Sequence, residues 1–221
     1  MSDPAIKQRE VQRHRPGTAA YANGQATAAK ILEVARQLVI DDGMNAVTMR
    51  RIARELNMSP GNLSYYYASK ANLIEDLFSH VLDKYMVEFE RLRKTEAASP
   101  EAQLLLVLQY VFDDLSKRET TNFFPEMWVM ALRDEWAEQQ MERIYTLYRS
   151  VLIEILSTLR PDLDDQTRAD LALTISASIE GHTVFIGHGR RHQSRAHAVK
   201  KLIIEQLVYL AINTQSADIA T

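Results

Sequence analysis

Ser59-Pro60 opens a stretch, SPGNLSYYYASK, that leaves this chain few ways to fold. Serine followed by proline marks a helix start. The hydroxyl caps a free amide, and proline takes the first helical position, where its missing N–H costs nothing. Ser69-Lys70 can cap a further helix, so the helix between them is short. Upstream, Thr48 can cap the amides of Met49 to Arg51, starting a helix that Asn57-Met58 ends after little more than two turns. Two short helices joined by a tight turn make a helix-turn-helix, whose second member can enter a DNA major groove. A helix of roughly 10–12 Å diameter fills a groove about 12 Å wide.

The three adjacent tyrosines fit this arrangement. Neighbours on a helix lie about 100° apart, so Tyr65, Tyr66 and Tyr67 cannot all face one core. Leu63 and Tyr67, four apart, are expected inward, leaving Ser64, Tyr65 and Tyr66 outward. A phenol offers its ring to a thymine methyl and its hydroxyl to a phosphate, Asn62 can pair with adenine, and Gly61 allows close backbone approach. Lys70, at a helix N-terminus, is placed to neutralise a phosphate, and Arg50, Arg51 and Arg54 add positive charge nearby.

Charge is divided along the chain. The net value is −3, yet residues 1–72 carry 10 Lys/Arg against 6 Asp/Glu, and residues 73–221 carry 16 against 23. A basic contact module on an acidic body is the expectation. Residues 1–24, with Lys7, Arg9, Arg13, His14 and Arg15, read as a flexible basic arm. A helix-turn-helix unit is expected over 25–72 and a larger helical body over 73–221.

The fold class expected is all-α. Ala28, Ile31, Leu32, Ala35, Leu38 and Val39 give helical spacing from Thr27, with Gly43 as a left-handed C-terminal cap. A long helix from about Ala71 past Arg91 leaves the small unit, and EAASPEA (96–102) is a link. Helices are then expected over about 101–118, 125–134, 136–160, 165–189 and 195–213. Their breaks are set at Pro125, at Pro161-Asp162 and around Gly187 and Gly189. There is no cysteine, hence no disulfide, thiolate nucleophile or Cys-zinc site. With no signal peptide and no apolar run of spanning length, a cytoplasmic protein without a membrane partner is expected.

The body offers a candidate ligand site in Phe123, Met127, Trp128, Tyr145, Tyr148 and Glu180, although aromatic and methionine side chains also build cores. Glu180 sits in the apolar run ISASIEGHTVFIG, where a carboxylate needs a partner: a ligand, or an internal arginine or histidine. His188 and His192 have i, i+4 spacing, but the glycines beside them and Arg190, Arg191 and Arg195 favour a solvated basic turn over a metal site. No nucleophile elbow, P-loop or dinucleotide fingerprint is present, so no cofactor and no enzyme are expected. Two readings remain from the residues: a DNA-binding regulator, or an all-α adaptor whose basic module binds without sequence preference.

TMRRIARELNMSPGNLSYYYASKANLI resembles the DNA-binding signature of TetR/AcrR-type regulators. That pattern runs Thr, Ile-Ala, a tight turn, Gly-x-Leu-Tyr-x-His-Phe and Ser-Lys-Glu-x-Leu. The likeness spans about Ile31 to Phe78 and departs from the pattern at Ser64, Tyr66, Ala71 and Asn72. The resemblance implies that Thr48 and Lys70 contact phosphates and that Gly61, Asn62, Ser64, Tyr65 and Tyr66 lie on the recognition helix. It further implies a repressor that binds a palindromic operator in double-stranded DNA as a homodimer and is released by a small-molecule effector. The last two helices would form the dimer. Ala172, Ser176 and Ile179 offer a small-residue face, and Val199, Leu202, Ile203, Leu207 and Leu210 an apolar stripe.

Overall fold

Capping chemistry sets where the helices begin. The computed structural model describes residues 19–216, with side chains from Gly24 onward. The basic residues of the expected arm lie outside the described residues. Among those described there are nine α-helices and no strand. They are α1 (Ala19–Asp42), α2 (Met49–Glu55), α3 (Pro60–Tyr66), α4 (Lys70–Lys94), α5 (Pro100–Leu115), α6 (Arg118–Ala131), α7 (Glu135–Leu159), α8 (Asp165–Ile186) and α9 (Ala196–Asn213). None of them is long and apolar enough to cross a membrane. Ser99, Asp134 and Asp164 cap α5, α7 and α8, each accepting a backbone N–H from the third residue of its helix.

α1 begins earlier than Thr27, because the alanine-rich stretch before it favours helix. It packs Ile31, Ala35, Leu38 and Val39 against Ile52, Ala53, Leu63, Leu73 and Leu77 in one continuous core. At its end Gly43 has the positive φ expected of a glycine, +79°, but with an extended ψ of 171° rather than a left-handed one. A Cβ there would lie 2.9 Å from Glu126 Oε1, a side-chain tip that can move aside, so the positive φ is what calls for glycine.

Pro125 does not break the chain as expected; it sits inside α6. Proline forfeits the hydrogen bond to the carbonyl four residues back, at a cost of about 3 kcal/mol. Phe123, Phe124 and Met127 around it are all buried. At roughly 1.5–3 kcal/mol for each, their burial outweighs that loss. Local propensity was overridden by packing.

α7 is the central helix of the body, packed against α4, α5, α6 and α8. It runs parallel to α4: Trp136 stacks on Phe78 at 6.3 Å near the start of both, and Glu154 pairs with Arg93 at 2.8 Å near the end of both. α8 returns and α9 leaves again, so that Arg160, just past α7, donates to the Ile212 carbonyl at the end of α9. The body therefore has two ends. One holds the starts of α4 and α7 and the turn between α8 and α9, and adjoins the helix-turn-helix. The other holds the ends of α4, α7 and α9.

Candidate nucleic-acid interface and effector cavity

Three side-chain caps build the helix-turn-helix. Thr48 Oγ1 accepts from the Arg51 N–H at 3.2 Å, Ser59 Oγ from the Asn62 N–H at 3.2 Å, and Ser69 Oγ from the Asn72 N–H at 3.1 Å. Asn72 also takes the Ser69 hydroxyl at 2.7 Å on its own side-chain oxygen, in place of the missing acidic residue. Between α2 and α3 the chain reverses at Asn57, whose φ is +51°. Arg51 is drawn off into a pair with Asp42 at 2.5 Å that ties α2 to the end of α1, whereas Arg50 is exposed and makes no ion pair among the described residues.

The tyrosine trio divides three ways. Tyr67 is buried, and its hydroxyl donates to Asp76 Oδ2 at 2.6 Å, pinning α3 to α4; burial first, and Asp76 second, hold its pKa above the ordinary phenol range. Tyr65 is 68% exposed. Tyr66 is only partly outward: half-buried against the core, it meets Tyr65 edge-to-face at 5.3 Å. Thr48, Gly61, Asn62, Ser64 and Lys70 are exposed on the same small unit, and Lys70 Nζ donates to the Met44 carbonyl at 3.2 Å. A short capped helix presents polar and aromatic groups beside cationic ones, which is the chemistry that reads a groove and its phosphates.

In the body, α4 to α8 line a partly open cavity of ≈ 30 Å³, walled by the rings of Tyr85, Phe89, Tyr110, Phe124, Tyr145 and Tyr148. Phe89 stacks on Tyr148 at 5.0 Å, and Tyr85 meets Phe124 edge-to-face at 5.1 Å. Two carboxylates line it. Asp114 is buried and accepts from Thr120 Oγ1 at 2.9 Å and Lys117 Nζ at 2.8 Å; Thr120 Oγ1 lies 3.1 Å from the Tyr85 hydroxyl. Glu180 keeps one enclosed oxygen, Oε2, without a hydrogen-bond partner, and the Tyr148 hydroxyl is equally unpaired. Burial pushes the Glu180 pKa up to about 7, against the lowering effect of the Tyr145 hydroxyl and with a further push from Asp114. An adjoining groove of ≈ 420 Å³ shares Tyr85, Tyr110, Asp114 and Phe124 with the cavity, and reaches Arg36 and Ile40 of α1.

Comparison with known proteins finds a match for each of the two parts of the chain. Residues 31–77 match the model of bacterial regulatory proteins of the tetR family. Residues 100–207 match that of the C-terminal domain of BetI-type transcriptional repressors. The chain belongs to the tetR family. It is a DNA-binding transcriptional regulator. Among its relatives, an HTH-type transcriptional regulator in the dhlA 5′ region of Xanthobacter autotrophicus is 27% identical, over 82% of this chain and 91% of that one. The regulator BetI of Burkholderia thailandensis is 23% identical, over 66% and 76%. Two solved structures share the fold: a regulator from Saccharomonospora viridis in complex with choline and a TetR regulator from Haloarcula marismortui. The first has TM-score 0.70 and 17% identity over 86% of this chain and 97% of that one; the second has 0.65 and 18% over 85% and 95%.

Within this tetR-family frame the expected ligand residues separate. Tyr145, Tyr148 and Glu180 line the cavity, and Phe123 lines the groove. Met127 is fully buried core, and Trp128 lies outside the cavity, donating its Nε1–H to the Tyr145 hydroxyl at 3.0 Å. Tyr85, Phe89, Tyr110 and Asp114 were missed, being spread over α4 and α5. Asp114, an acid closing the apolar run LLLVLQYVFDD, carried the same signal that singled out Glu180. The expected dimer face also changes. Ala172, Ser176, Ile179 and Leu207 are buried within the subunit, and Val199, Ile203 and Leu210 are half-buried. Of that set only Leu202 is exposed, and the outward faces carry Leu173, Val184 and Phe185 on α8 with Leu202, Tyr209 and Ile212 on α9.

Proposed function

We propose that the chain is a repressor that binds a palindromic operator as a homodimer, acts in the cytoplasm, and leaves DNA when a small organic cation fills the body cavity. A quaternary ammonium ion of about choline size is the effector class. One observation carries this reading: an orphaned carboxylate oxygen of Glu180 inside a wall of six aromatic rings. Aromatic faces attract a cation through their quadrupoles, and a methylated ammonium needs no hydrogen bonds that such a wall cannot give. The choline bound to the Saccharomonospora viridis regulator is in keeping with it.

The cavity has room for about one or two waters, so a ligand has to widen it. The groove is the route, and the Lys117–Asp114 pair stands where the two spaces meet. An incoming cation competes with the Lys117 ammonium for Asp114 and pushes on Thr120 and Phe124 of α6. The same helix holds α1 through Asn122 Nδ2 to the Ile40 carbonyl at 2.8 Å and through Arg118 to Asp41 at 2.6 Å. A shift of α6 is thereby passed to the helix-turn-helix.

For the dimer, the outward faces of α8 and α9 offer Phe185, Val184, Leu202 and Tyr209 as apolar surface for a second copy. Two recognition helices can then reach successive major grooves about 34 Å apart. Calorimetry with choline, tetramethylammonium and the neutral carbon isostere of choline tests the effector class. Both cations should bind and the isostere should not. Equal binding of the isostere would remove the charge from the argument, and no binding by any of the three would remove the cavity as a site for this class.

A further inference from the structure

The turn between α8 and α9 is a basic island on an acidic body. No Asp or Glu stands between Glu180 and Glu205, a stretch holding Arg190, Arg191, Arg195, Lys200 and Lys201 with four histidines. Lys200 pairs with Asp113 at 2.5 Å and Lys201 lies 3.9 Å from Glu205. Arg190, Arg191 and Arg195 are exposed and have no ion pair among the described residues. Elsewhere in the body Arg91, Arg93, Arg118, Arg149, Arg160 and Arg168 each have a carboxylate. Arg133 and Arg143 are exposed without an ion pair among the described residues, but only at the turn do three such arginines fall within six residues. Leaving three neighbouring guanidinium groups uncompensated costs self-repulsion, which an anionic partner would relieve.

The turn is also held in shape. Gly187 lies so close to α6 that a Cβ would meet Thr121 at 2.8 Å and the Thr183 carbonyl at 2.6 Å, so only glycine permits the approach. Thr121 Oγ1 then takes the His188 N–H at 2.9 Å. Gly189, with φ +68°, gives its N–H to Gln193 Oε1 at 2.8 Å, and the Arg190 N–H goes back to the Gly187 carbonyl at 3.1 Å. A cationic group fixed before contact loses less entropy on binding than a mobile one.

Its position names the partner. Thr121 is next to Asn122, which bonds the end of α1, so the turn lies at the end of the body that adjoins the helix-turn-helix. Phe78, which packs on Phe123 of α6, is eight residues along α4 from Lys70. At 1.5 Å per residue, the level of the turn is about 12 Å from the phosphate-facing start of α4. Extended arginine side chains cover much of that gap, and what is left is within the Debye length of about 8 Å at physiological salt.

We propose that this turn is a second DNA-contacting surface, which presents Arg190, Arg191 and Arg195 of each subunit to the phosphates of the operator segment between the two half-sites. The inference rests on the dimeric operator-binding reading above, because an α8–α9 interface sets the two turns beside the dyad, facing the middle of the site. The contacts are to backbone alone, so they add affinity and salt dependence without sequence preference.

The probe is a duplex carrying the site that the wild type selects from random DNA, and a second duplex with neutral methylphosphonates in place of the central phosphates. On the first, the triple variant Arg190→Ala, Arg191→Ala, Arg195→Ala should bind at least about tenfold more weakly at moderate salt. Its log–log salt slope should fall by up to about 5, at roughly 0.9 for each phosphate that the six arginines of the dimer no longer neutralise. On the second duplex, wild type and variant should bind alike. Since all three side chains are exposed, helix content and sedimentation of the variant should match the wild type. An unchanged slope and affinity on the first duplex, with wild-type binding intact, would make the turn merely solvated and overturn this inference alone. A wild type that binds no duplex would overturn the operator reading, and this inference with it.

Discussion

Glu180 is a carboxylic acid whose fold works against its charge. Its pKa of about 7 in the folded protein stands above the ordinary 4.5, so the fold favours the protonated form. That contribution to stability is fully present below about pH 4.5 and is lost as pH rises through 7, amounting to on the order of 3 kcal/mol. The melting temperature of the empty protein should therefore fall between pH 5 and pH 8, and Glu180→Gln should flatten that dependence. Identical pH profiles for the two proteins would show a solvated carboxyl. A cation needs the ionised acid, so its affinity should drop up to about tenfold per pH unit below 7. Among the tyrosines, Tyr67→Phe removes the bond to Asp76 and should cost about 1–2 kcal/mol in urea unfolding. Tyr65→Ala should cost next to nothing in stability yet weaken operator binding. A larger stability loss from Tyr65→Ala than from Tyr67→Phe would contradict the division of the trio into outward and inward rings.

At the scale of elements, what the sequence revealed was what is local. Thr48, Ser59 and Ser69 each cap a helix within three residues of themselves, so the helix-turn-helix could be placed from its own letters. Pro125 misled because a breaker residue says nothing of the aromatic packing that holds α6 together around it. The cavity draws on five helices, and Tyr85 of α4, Asp114 of α5 and Thr120 of α6 meet in it, a contact that spacing along one helix cannot show. The α8–α9 pair failed in a different way. Apolar periodicity identifies a face that is buried, not whether its own subunit or a second one buries it, and here Leu207 is core while Leu202 is exposed. Leu202→Glu should keep full helix content and sediment as a monomer, whereas Leu207→Glu should lose the fold, since a charge would be buried unpaired. A fully dimeric Leu202→Glu protein would place the interface on another face. At the start of α4, Lys70→Ala should weaken specific and random duplex equally and reduce the salt slope by about 0.9 for each phosphate that Lys70 neutralises. A changed sequence preference would instead make Lys70 a reader of bases.

Over the whole molecule, α6 is the shared member. Thr120 and Phe124 face the cavity, while Arg118 and Asn122 hold the end of α1. On the proposed reading, effector and DNA act on one helix from opposite sides, and by linkage each would weaken the other by the same factor. In the proposed dimer, the separation of the two recognition helices is the quantity that the operator would read and the effector would change. Fluorescence anisotropy of a labelled duplex carrying the selected site, titrated with choline in the presence of wild type and of Glu180→Gln, addresses this most directly. The wild type should be released by choline and not by its neutral isostere, while Glu180→Gln should bind the duplex with unchanged affinity and stay bound as choline is added. Choline that leaves the wild-type complex intact, or that releases the Glu180→Gln complex equally well, would contradict the claim that a cation in this cavity controls DNA binding.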